Sequence, residues 1–380
     1  MINVESPIIN TAKLTTVSQL DSQKVFGVLN GEWFRQSKAA EVPFYIEAQP
    51  TDLCNFACHY CSYAFRRENS DYASWDFETA IRFAEFVREQ PVRVLCLSGG
   101  GEPLTWKYMP AFLERLIGIP YLKKMLITNG SLIRKKISPE LLQDFSYLLV
   151  SIASTEAETY RQTMRGAALK SDTLKHVLSL PSLFSKPGPD LNACVVISRT
   201  NDQHLDQVAT DLVERGFDFV YFKAEYNYEP LGERLSQDRR ERIRETKFQL
   251  SPEVAERTNL LTFLHDSEEK EAQDTNQRPE CLNLQYILHV MINAVGDIYP
   301  CIPRIGNPIY SLGNIRTSQS MQPLKKLLQA RQALQKIHEE YRVGQCGRCR
   351  FKKYNDLVYE AEQVGMSAFI NGNYKHPDFI

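Results

Sequence analysis

With 380 residues and 43% apolar side chains, the chain can bury a sizeable core, as one large domain with an appendage or as two domains, and is no small disulfide-stapled scaffold. Forty-five basic and 46 acidic residues leave a net charge of -1, and no basic run interleaves with aromatics. Neutralising a phosphate backbone needs a concentrated positive face, so nucleic acid is excluded as an expected partner.

The first 30 residues break every apolar stretch with a polar or charged side chain, and no segment approaches the roughly 18 apolar residues of a membrane span. The expectation is a soluble, cytoplasmic protein with no membrane partner. In that compartment nine cysteines read as metal ligands, catalytic groups or core residues, not as a disulfide framework.

Residues 1–42 form an uninformative N-terminal extension. From 43 to 226, short β-like runs alternate with helical stretches, the pattern of parallel strands joined by helical crossovers. Six strands are expected, at 44–48, 93–97, 124–127, 148–152, 193–198 and 217–223, giving an α/β fold of the partial (β/α)6 barrel type. Phe77, Ile81 and Ala84, then Met109, Leu113, Leu116 and Ile117, recur at helical spacing. So do Leu205, Val208, Ala209, Leu212 and Val213, with Gly216 as a C-terminal cap. Residues 227–280 are charged and poor in β character, a helical linker with its flexible point at 273–279. From 281 to 380 a smaller domain is expected. It opens with a hairpin of 286–293 and 298–299 around a turn at 294–297, and continues with a helix carrying Leu324, Leu327, Leu328, Leu334 and Ile337 on one side. No internal repeat or low-complexity tract is present.

Cys54, Cys58 and Cys61 follow closely on the first expected strand, which puts three thiols in one loop at a strand's C-terminal end, the face where barrel-like folds do their chemistry. Three thiolates within eight residues can hold three irons of a four-iron cube and leave the fourth iron without a protein ligand, open to a substrate or cofactor. Haem attachment fails, because Ser62 and not His follows the last cysteine. Zinc would need a fourth ligand, for which His59 is the nearby candidate, at a spacing unlike the usual pairs.

The spacing of the triad, with Tyr60 just before the last cysteine, resembles the signature of the radical S-adenosylmethionine (SAM) superfamily. The second strand ends in Ser98, Gly99, Gly100, Gly101, Glu102 and Pro103, similar to that family's glycine-glycine-glutamate element; the third ends in Thr128, Asn129 and Gly130. The fourth ends in Ser151 to Ser154, where the family often has a hydroxyl or carboxylate near the ribose. Glycines let a backbone approach a ligand closely, and the Glu102 carboxylate beside them can pair with an α-ammonium group. The resemblance implies a SAM-binding 4Fe-4S cluster on the triad, with Tyr60, Gly99, Gly100, Gly101, Glu102, Asn129 and Ser151 around the SAM. It implies that an electron from an external reductant, such as flavodoxin or ferredoxin, breaks the sulfonium bond. The resulting 5'-deoxyadenosyl radical removes a hydrogen atom from the substrate.

Cys281, Cys301, Cys346 and Cys349 make a second constellation, two cysteines flanking the hairpin and a Cys-x-x-Cys pair after the helix. Four thiolates suit a closed zinc site and a fully ligated iron-sulfur cluster about equally. Cys281, Gly296 and Cys301 resemble the opening of the SPASM auxiliary-cluster domain, and the phrase at 311–315 is similar to one that family carries. No cysteine follows Cys349, so the resemblance implies the shortened twitch form with one auxiliary 4Fe-4S cluster serving as an electron conduit, as in 2-deoxy-scyllo-inosamine dehydrogenase. Cys96 and Cys194 lie in apolar strand patterns and read as buried structural thiols. Arg161, Arg165, Arg199 and Lys223 could face a ligand carboxylate but read as solvated charge.

Three functions follow. The first is a radical SAM oxidoreductase or modifying enzyme acting on a small polar metabolite, an aminocyclitol, sugar or nucleoside; the 42 residues before the barrel are short for a peptide-leader domain. The second is a maturase of a ribosomally made peptide. The third is a zinc-stabilised interaction protein.

Overall fold

The computed structural model describes residues 39–63, 72–166, 169–185, 187–225, 241–260 apart from 244 and 247, 289–301 and 304–317, with single residues at 32, 36, 321 and 324. Its framework is one sheet of eight strands: β1 Tyr45–Ala48, β2 Val94–Leu97, β3 Lys123–Thr128, β4 Tyr147–Ser151, β5 Asp190–Ile197, β6 Phe219–Ala224, β7 His289–Ile292 and β8 Ile298–Tyr299. They lie in the order β6-β5-β4-β3-β2-β1-β7-β8. β1 to β6 pair in parallel with their sequence neighbours, so each connection must cross over, and helices supply the crossovers. They are α1 Phe77–Glu89, α2 Met109–Leu116, α3 Ile133–Lys136 and α4 Pro139–Gln143, α5 Ala157–Met164 and α6 Thr173–Leu178, and α7 Leu205–Glu214, in turn; α8 Pro252–Glu256 follows β6.

Local chemistry starts and stops these helices. Asp76 caps α1 by accepting from Thr79 N at 2.8 Å, and that bond is the main reason its carboxyl sits below the usual carboxylate range. Ala80, Phe83, Ala84 and Val87 then bury one stripe of α1. α7 buries Leu205, Val208, Ala209, Leu212 and Val213, and Gly216 follows it with φ +99°, a conformation that glycine adopts without the Cβ penalty.

The two faces of the sheet differ in chemistry. Ile46, Leu95, Leu126, Leu148, Ala193 and Val220 stand on the helix-covered face and join one continuous apolar core. The opposite face carries Tyr45, Glu47, Cys96, Met125, Tyr147, Asn192 and Cys194, buried but outside that core. Strand alternation assigns these sets to opposite faces, because each pair in register shares a side. The polar set lines the concave interior of a partial barrel.

The six expected strands form the parallel barrel as β1 to β6, and the expected hairpin extends its sheet: β7 pairs in parallel with β1, from Tyr45↔His289 to Ala48↔Ile292. The free edge of β1 offers unpaired backbone groups, and a further strand satisfies them. Trp75 fixes this junction by donating from Nε1 to Asn293 O at 2.9 Å, itself buried against Trp106 and Phe83. Cys96 and Cys194 are buried, as expected, and stand on the interior face. A short apolar run does not show which of its alternating side chains meets the helices. The expected helix at 324–337 and the flexible point at 273–279 lie outside the described residues.

Candidate metal and cofactor site

The chain leaves β1, pairs Thr51 with Ser74, and enters a loop that presents Cys54, Cys58 and Cys61 as partly exposed thiols outside any disulfide. Three neighbouring segments hold this loop. From the end of β2, Gly101 N donates to Thr51 O at 3.1 Å and Glu102 N to Leu53 O at 2.8 Å, while Thr105 Oγ1 donates to the same Leu53 carbonyl. The approach admits no side chain at position 101, where a Cβ would lie 2.0 Å from Leu53 O. At Gly99 a Cβ would meet Gly101 O at 1.9 Å.

From the end of β3, the side chains of Asn55, Asn129 and Ser131 close a hydrogen-bonded ring. Asn129 Nδ2 donates to Asn55 Oδ1, Asn55 Nδ2 to Ser131 Oγ, and Ser131 Oγ to Asn129 Oδ1, at 2.7 to 2.9 Å. Asn55 is the residue after Cys54, so the ring fixes the first thiol's backbone.

From α5, the last turn backs the middle of the loop. His59 N donates to Thr163 O, Ala57 N to Arg165 O, and the His59 Nδ1 atom also lies 3.4 Å from Thr163 O. Met164 Sδ lies 3.9 Å from Cys58 Sγ and accepts from the Tyr60 hydroxyl at 3.2 Å. Arg165 (φ +45°) and Gly166 (φ +115°) turn the chain sharply here, and a Cβ on Gly166 would lie 2.9 Å from Phe56 Cα. Asn55, Thr163, Met164 and Gly166 were not identified from sequence, because nothing local announces that α5 packs on the cysteine loop.

Glu102 is buried, 3% exposed. Its Oε1 accepts from Thr128 Oγ1 at 2.6 Å and Leu104 N at 3.1 Å, and its Oε2 from Asn129 N at 2.7 Å. A carboxylate has about four acceptor positions, so these donors leave room for one more. Burial pushes its pKa up, against the pull of the three hydrogen bonds. Glu102 therefore ties the end of β2 to the end of β3, and Asn129 ties that pair to the cysteine loop. Ser151 ends β4 half-buried on the interior face, in register with Cys194. Burial raises the Tyr60 hydroxyl well above the ordinary tyrosine range, with the Cys58, Cys194 and Cys61 thiols adding to it, so it stays protonated and a donor.

Among the described residues no three His, Cys, Asp or Glu side chains converge as ligands of a single metal ion. A cube asks something else, one thiolate at each of three corners, and three thiols outside any disulfide on one clamped loop suit it. Buried polar atoms at the site also await partners: Gln49 Oε1, on the residue after β1, and the Tyr160 hydroxyl on α5 have none among the described residues. Arg161 and Arg165 are exposed on α5, and Lys223 is exposed at the end of β6.

Of the second constellation, Cys301 is described, half-buried just after β8. The 311–315 phrase runs beside β8: Leu312 N donates to Ile298 O and Ile298 N to Gly313 O, while Asn314 Nδ2 reaches Val295 O and Asp297 Oδ1 across the turn at Gly296. Cys281, Cys346 and Cys349 lie outside the described residues.

An open parallel α/β barrel with a three-cysteine loop at the C-terminal end of its first strand defines a class of cluster-dependent enzymes. The family model of the radical SAM superfamily matches residues 48–212, and that of the SPASM iron-sulfur cluster-binding domain matches 281–350. Residues 48–212 thus match a radical SAM domain and residues 281–350 a SPASM domain; domains of the first kind bind a 4Fe-4S cluster and SAM, and domains of the second kind bind auxiliary iron-sulfur clusters. It is 26% identical to the GTP 3',8-cyclase of Pseudomonas fluorescens over 218 residues, 57% of this chain and 63% of that protein. With the GTP 3',8-cyclase of Geobacter sulfurreducens it shares 27% over 176 residues, 45% of this chain and 52% of that one. Among solved structures, the fold is similar to Streptococcus suis SuiB bound to S-adenosylmethionine (TM-score 0.54, 15% identity, 89% of this chain and 79% of that one). It is also similar to anSMEcpe with bound AdoMet (TM-score 0.52, 18% identity, 82% and 84%). Among the described residues no helix is long and apolar enough to cross a membrane.

Proposed function

We propose that the chain is a radical SAM oxidoreductase or modifying enzyme acting on a small polar metabolite, an aminocyclitol, sugar or nucleoside, with its SAM-binding cluster on Cys54, Cys58 and Cys61. The observation that supports this most is the clamped loop: three thiols outside any disulfide, held by the turns after β2 and β3 and by the last turn of α5. When bound and reduced, the cluster and SAM together supply a 5'-deoxyadenosyl radical that abstracts a hydrogen atom. The chain's own residues position and exclude. Gly99, Gly100 and Gly101 bring bare backbone to the cofactor, and Glu102 keeps one acceptor position for the methionyl ammonium. Asn129 holds the Glu102 turn and the cysteine loop in one network, Ser151 offers its hydroxyl from the end of β4, and Tyr60 presents a protonated hydroxyl beside the thiols.

Cys281, Cys301, Cys346 and Cys349 hold a single auxiliary 4Fe-4S cluster in this reading. Full thiolate ligation there leaves no open iron, which suits electron transfer and not substrate binding. The electron donor is a flavodoxin or ferredoxin. A second reading, a peptide maturase, draws support from the likeness in fold to SuiB, which has been solved bound to its precursor peptide SuiA.

The test is direct. Protein reconstituted without oxygen and given dithionite and SAM should be brown, hold several irons per chain and release 5'-deoxyadenosine; Cys58→Ala should release none. A colourless protein that retains no iron and releases no 5'-deoxyadenosine defeats the proposal.

A further inference from the structure

Two backbone bonds tie the middle of the cysteine loop to the end of α5. Ala57 N donates to Arg165 O at 3.2 Å and His59 N to Thr163 O at 3.3 Å, so Cys58, between the two donors, is set opposite Met164, between the two acceptors. The Met164 side chain is 1% exposed and meets the loop with its sulfur. Its Sδ lies 3.9 Å from Cys58 Sγ and accepts from the Tyr60 hydroxyl at 3.2 Å. The seat is rigid as well as close. Arg165 leaves the helix at φ +45° and Gly166 follows at φ +115°, where a Cβ would lie 2.9 Å from Phe56 Cα, so the turn has no room to slide along the loop.

A buried methionine is most often a gap filler, and its unbranched chain accounts for the volume here. It does not account for the partners. Tyrosine carries one hydroxyl donor and a thioether is a weak acceptor, yet Met164 Sδ is the acceptor this hydroxyl has among the described residues. A carboxylate in that seat would hold the hydroxyl harder, but it would also set a negative charge beside Cys58. A leucine of nearly the same volume would leave the hydroxyl without its acceptor, and a buried donor left unpaired costs about 1–3 kcal/mol, which drives it to another partner. The Cys58 thiol lies immediately beyond the thioether. As a thiolate it is the stronger acceptor of the two, because hydrogen bonds to an ionised partner are roughly twice as strong as neutral ones.

Resting on the radical SAM reading, we propose that Met164 is a positioning residue that holds the Tyr60 hydroxyl away from the sulfurs of the triad and so keeps the reduction potential of the cluster there low. Hydrogen bonds to cluster sulfurs are one of the levers that set such a potential, because a donor stabilises the more negative, reduced state. The thioether withholds that donor and adds no charge of its own. A cluster so shielded is the stronger one-electron reductant, which is the part the proposed function gives it. Met164 and Tyr60 make and break no covalent bond; they fix where one proton points.

The experiment uses the full chain, cluster-loaded without oxygen, in a potentiometric titration followed by electron paramagnetic resonance. The potential is read from the signal that changes shape when SAM is added. Met164→Leu nearly conserves volume and should load iron as wild type does. Its potential should rise by a shift of about three- to tenfold in the one-electron equilibrium toward the reduced state, about 28 to 59 mV. Tyr60→Phe alone should stay within about twofold of wild type, about 18 mV, because the hydroxyl it removes is turned to Met164. Tyr60→Phe combined with Met164→Leu should return to the wild-type potential, since the released donor is gone. Four results overturn the assignment: an unshifted or lowered potential in Met164→Leu, a triad that no longer loads in that variant, a larger shift in Tyr60→Phe alone, or a double variant that stays raised. The last would mean that packing, and not the hydroxyl, moves the potential. Failure of the radical SAM reading is seen separately and earlier, as wild-type protein that has no SAM-sensitive signal and releases no 5'-deoxyadenosine.

Discussion

Glu102→Gln tests how the turn after β2 is held. The substitution keeps size and one oxygen, which can stay with Thr128 Oγ1 and Leu104 N, but it turns an amide NH2 toward Asn129 N and removes the 2.7 Å bond there. A buried N–H left unpaired costs about 1–3 kcal/mol, so the apo protein should lose about that much in urea unfolding. The pH dependence adds a second, independent readout. Burial outweighs the three hydrogen bonds and raises the folded pKa of Glu102 above its unfolded value. The folded state then binds the proton more readily than the unfolded state, so this group's contribution falls as pH rises from the ordinary carboxylate range to the folded pKa. Glutamine does not titrate. The stability gap between wild type and Glu102→Gln should therefore widen as pH is lowered through that window, and level off below it. A gap that narrows toward acid would show that the hydrogen bonds win and that the carboxylate is held as an anion. A gap below about 0.5 kcal/mol at every pH would show that the turn does not depend on Glu102 at all.

The remaining predictions concern the same loop and its surroundings. Gly101→Ala forces a Cβ to within 2.0 Å of Leu53 O, so the loop must shift; iron incorporation on the triad should fall sharply, with a stability loss of about 1–3 kcal/mol by thermal unfolding. Tyr160→Phe removes a buried hydroxyl that has no partner among the described residues, and the apo protein should be as stable as wild type or up to about 1 kcal/mol more stable; a clear loss in urea would contradict the geometry. Cys346→Ala should lower iron by about four per chain while release of 5'-deoxyadenosine persists, and an unchanged iron content would point to zinc or no metal on the quartet.

Much of this arrangement was legible in the sequence, and the physical reason differs from part to part. Strand positions could be read because parallel strands bury both faces and so form apolar runs, and the observed strands start within three residues of the expected positions 44, 93, 124, 148, 193 and 217. The cysteine loop could be read because spacing is local. Glu102 was visible as a carboxylate after glycines, but its donors were not: Thr128 and Asn129 reach it only because β3 lies beside β2 in one register. The role of Asn55 was hidden for the same reason. It depends on side chains 74 and 76 residues away, and a lone asparagine after a cysteine announces nothing. Cys194 shows the limit of pattern: an apolar run gives a strand without telling which side chains face the helices and which the interior.

The pairing of β7 with β1 bears on how the cysteine loop and Cys301 relate. β1 feeds directly into the loop of Cys54, and β8, hydrogen-bonded to β7, leads directly to Cys301. Cys54 and Cys301 thus follow strands of one sheet that flank β7, and Gln49 N to Ile292 O, Trp75 Nε1 to Asn293 O and the Arg316–Asp76 pair at 3.5 Å add links across the seam. The exposed ion pair contributes little, but the backbone bonds of a central strand are among the last to open. A linker of the length of 227–280 alone would leave the separation of Cys54 and Cys301 to chain statistics, whereas a shared sheet fixes it. The C-terminal hairpin is therefore better described as part of the barrel's sheet than as an attachment to it.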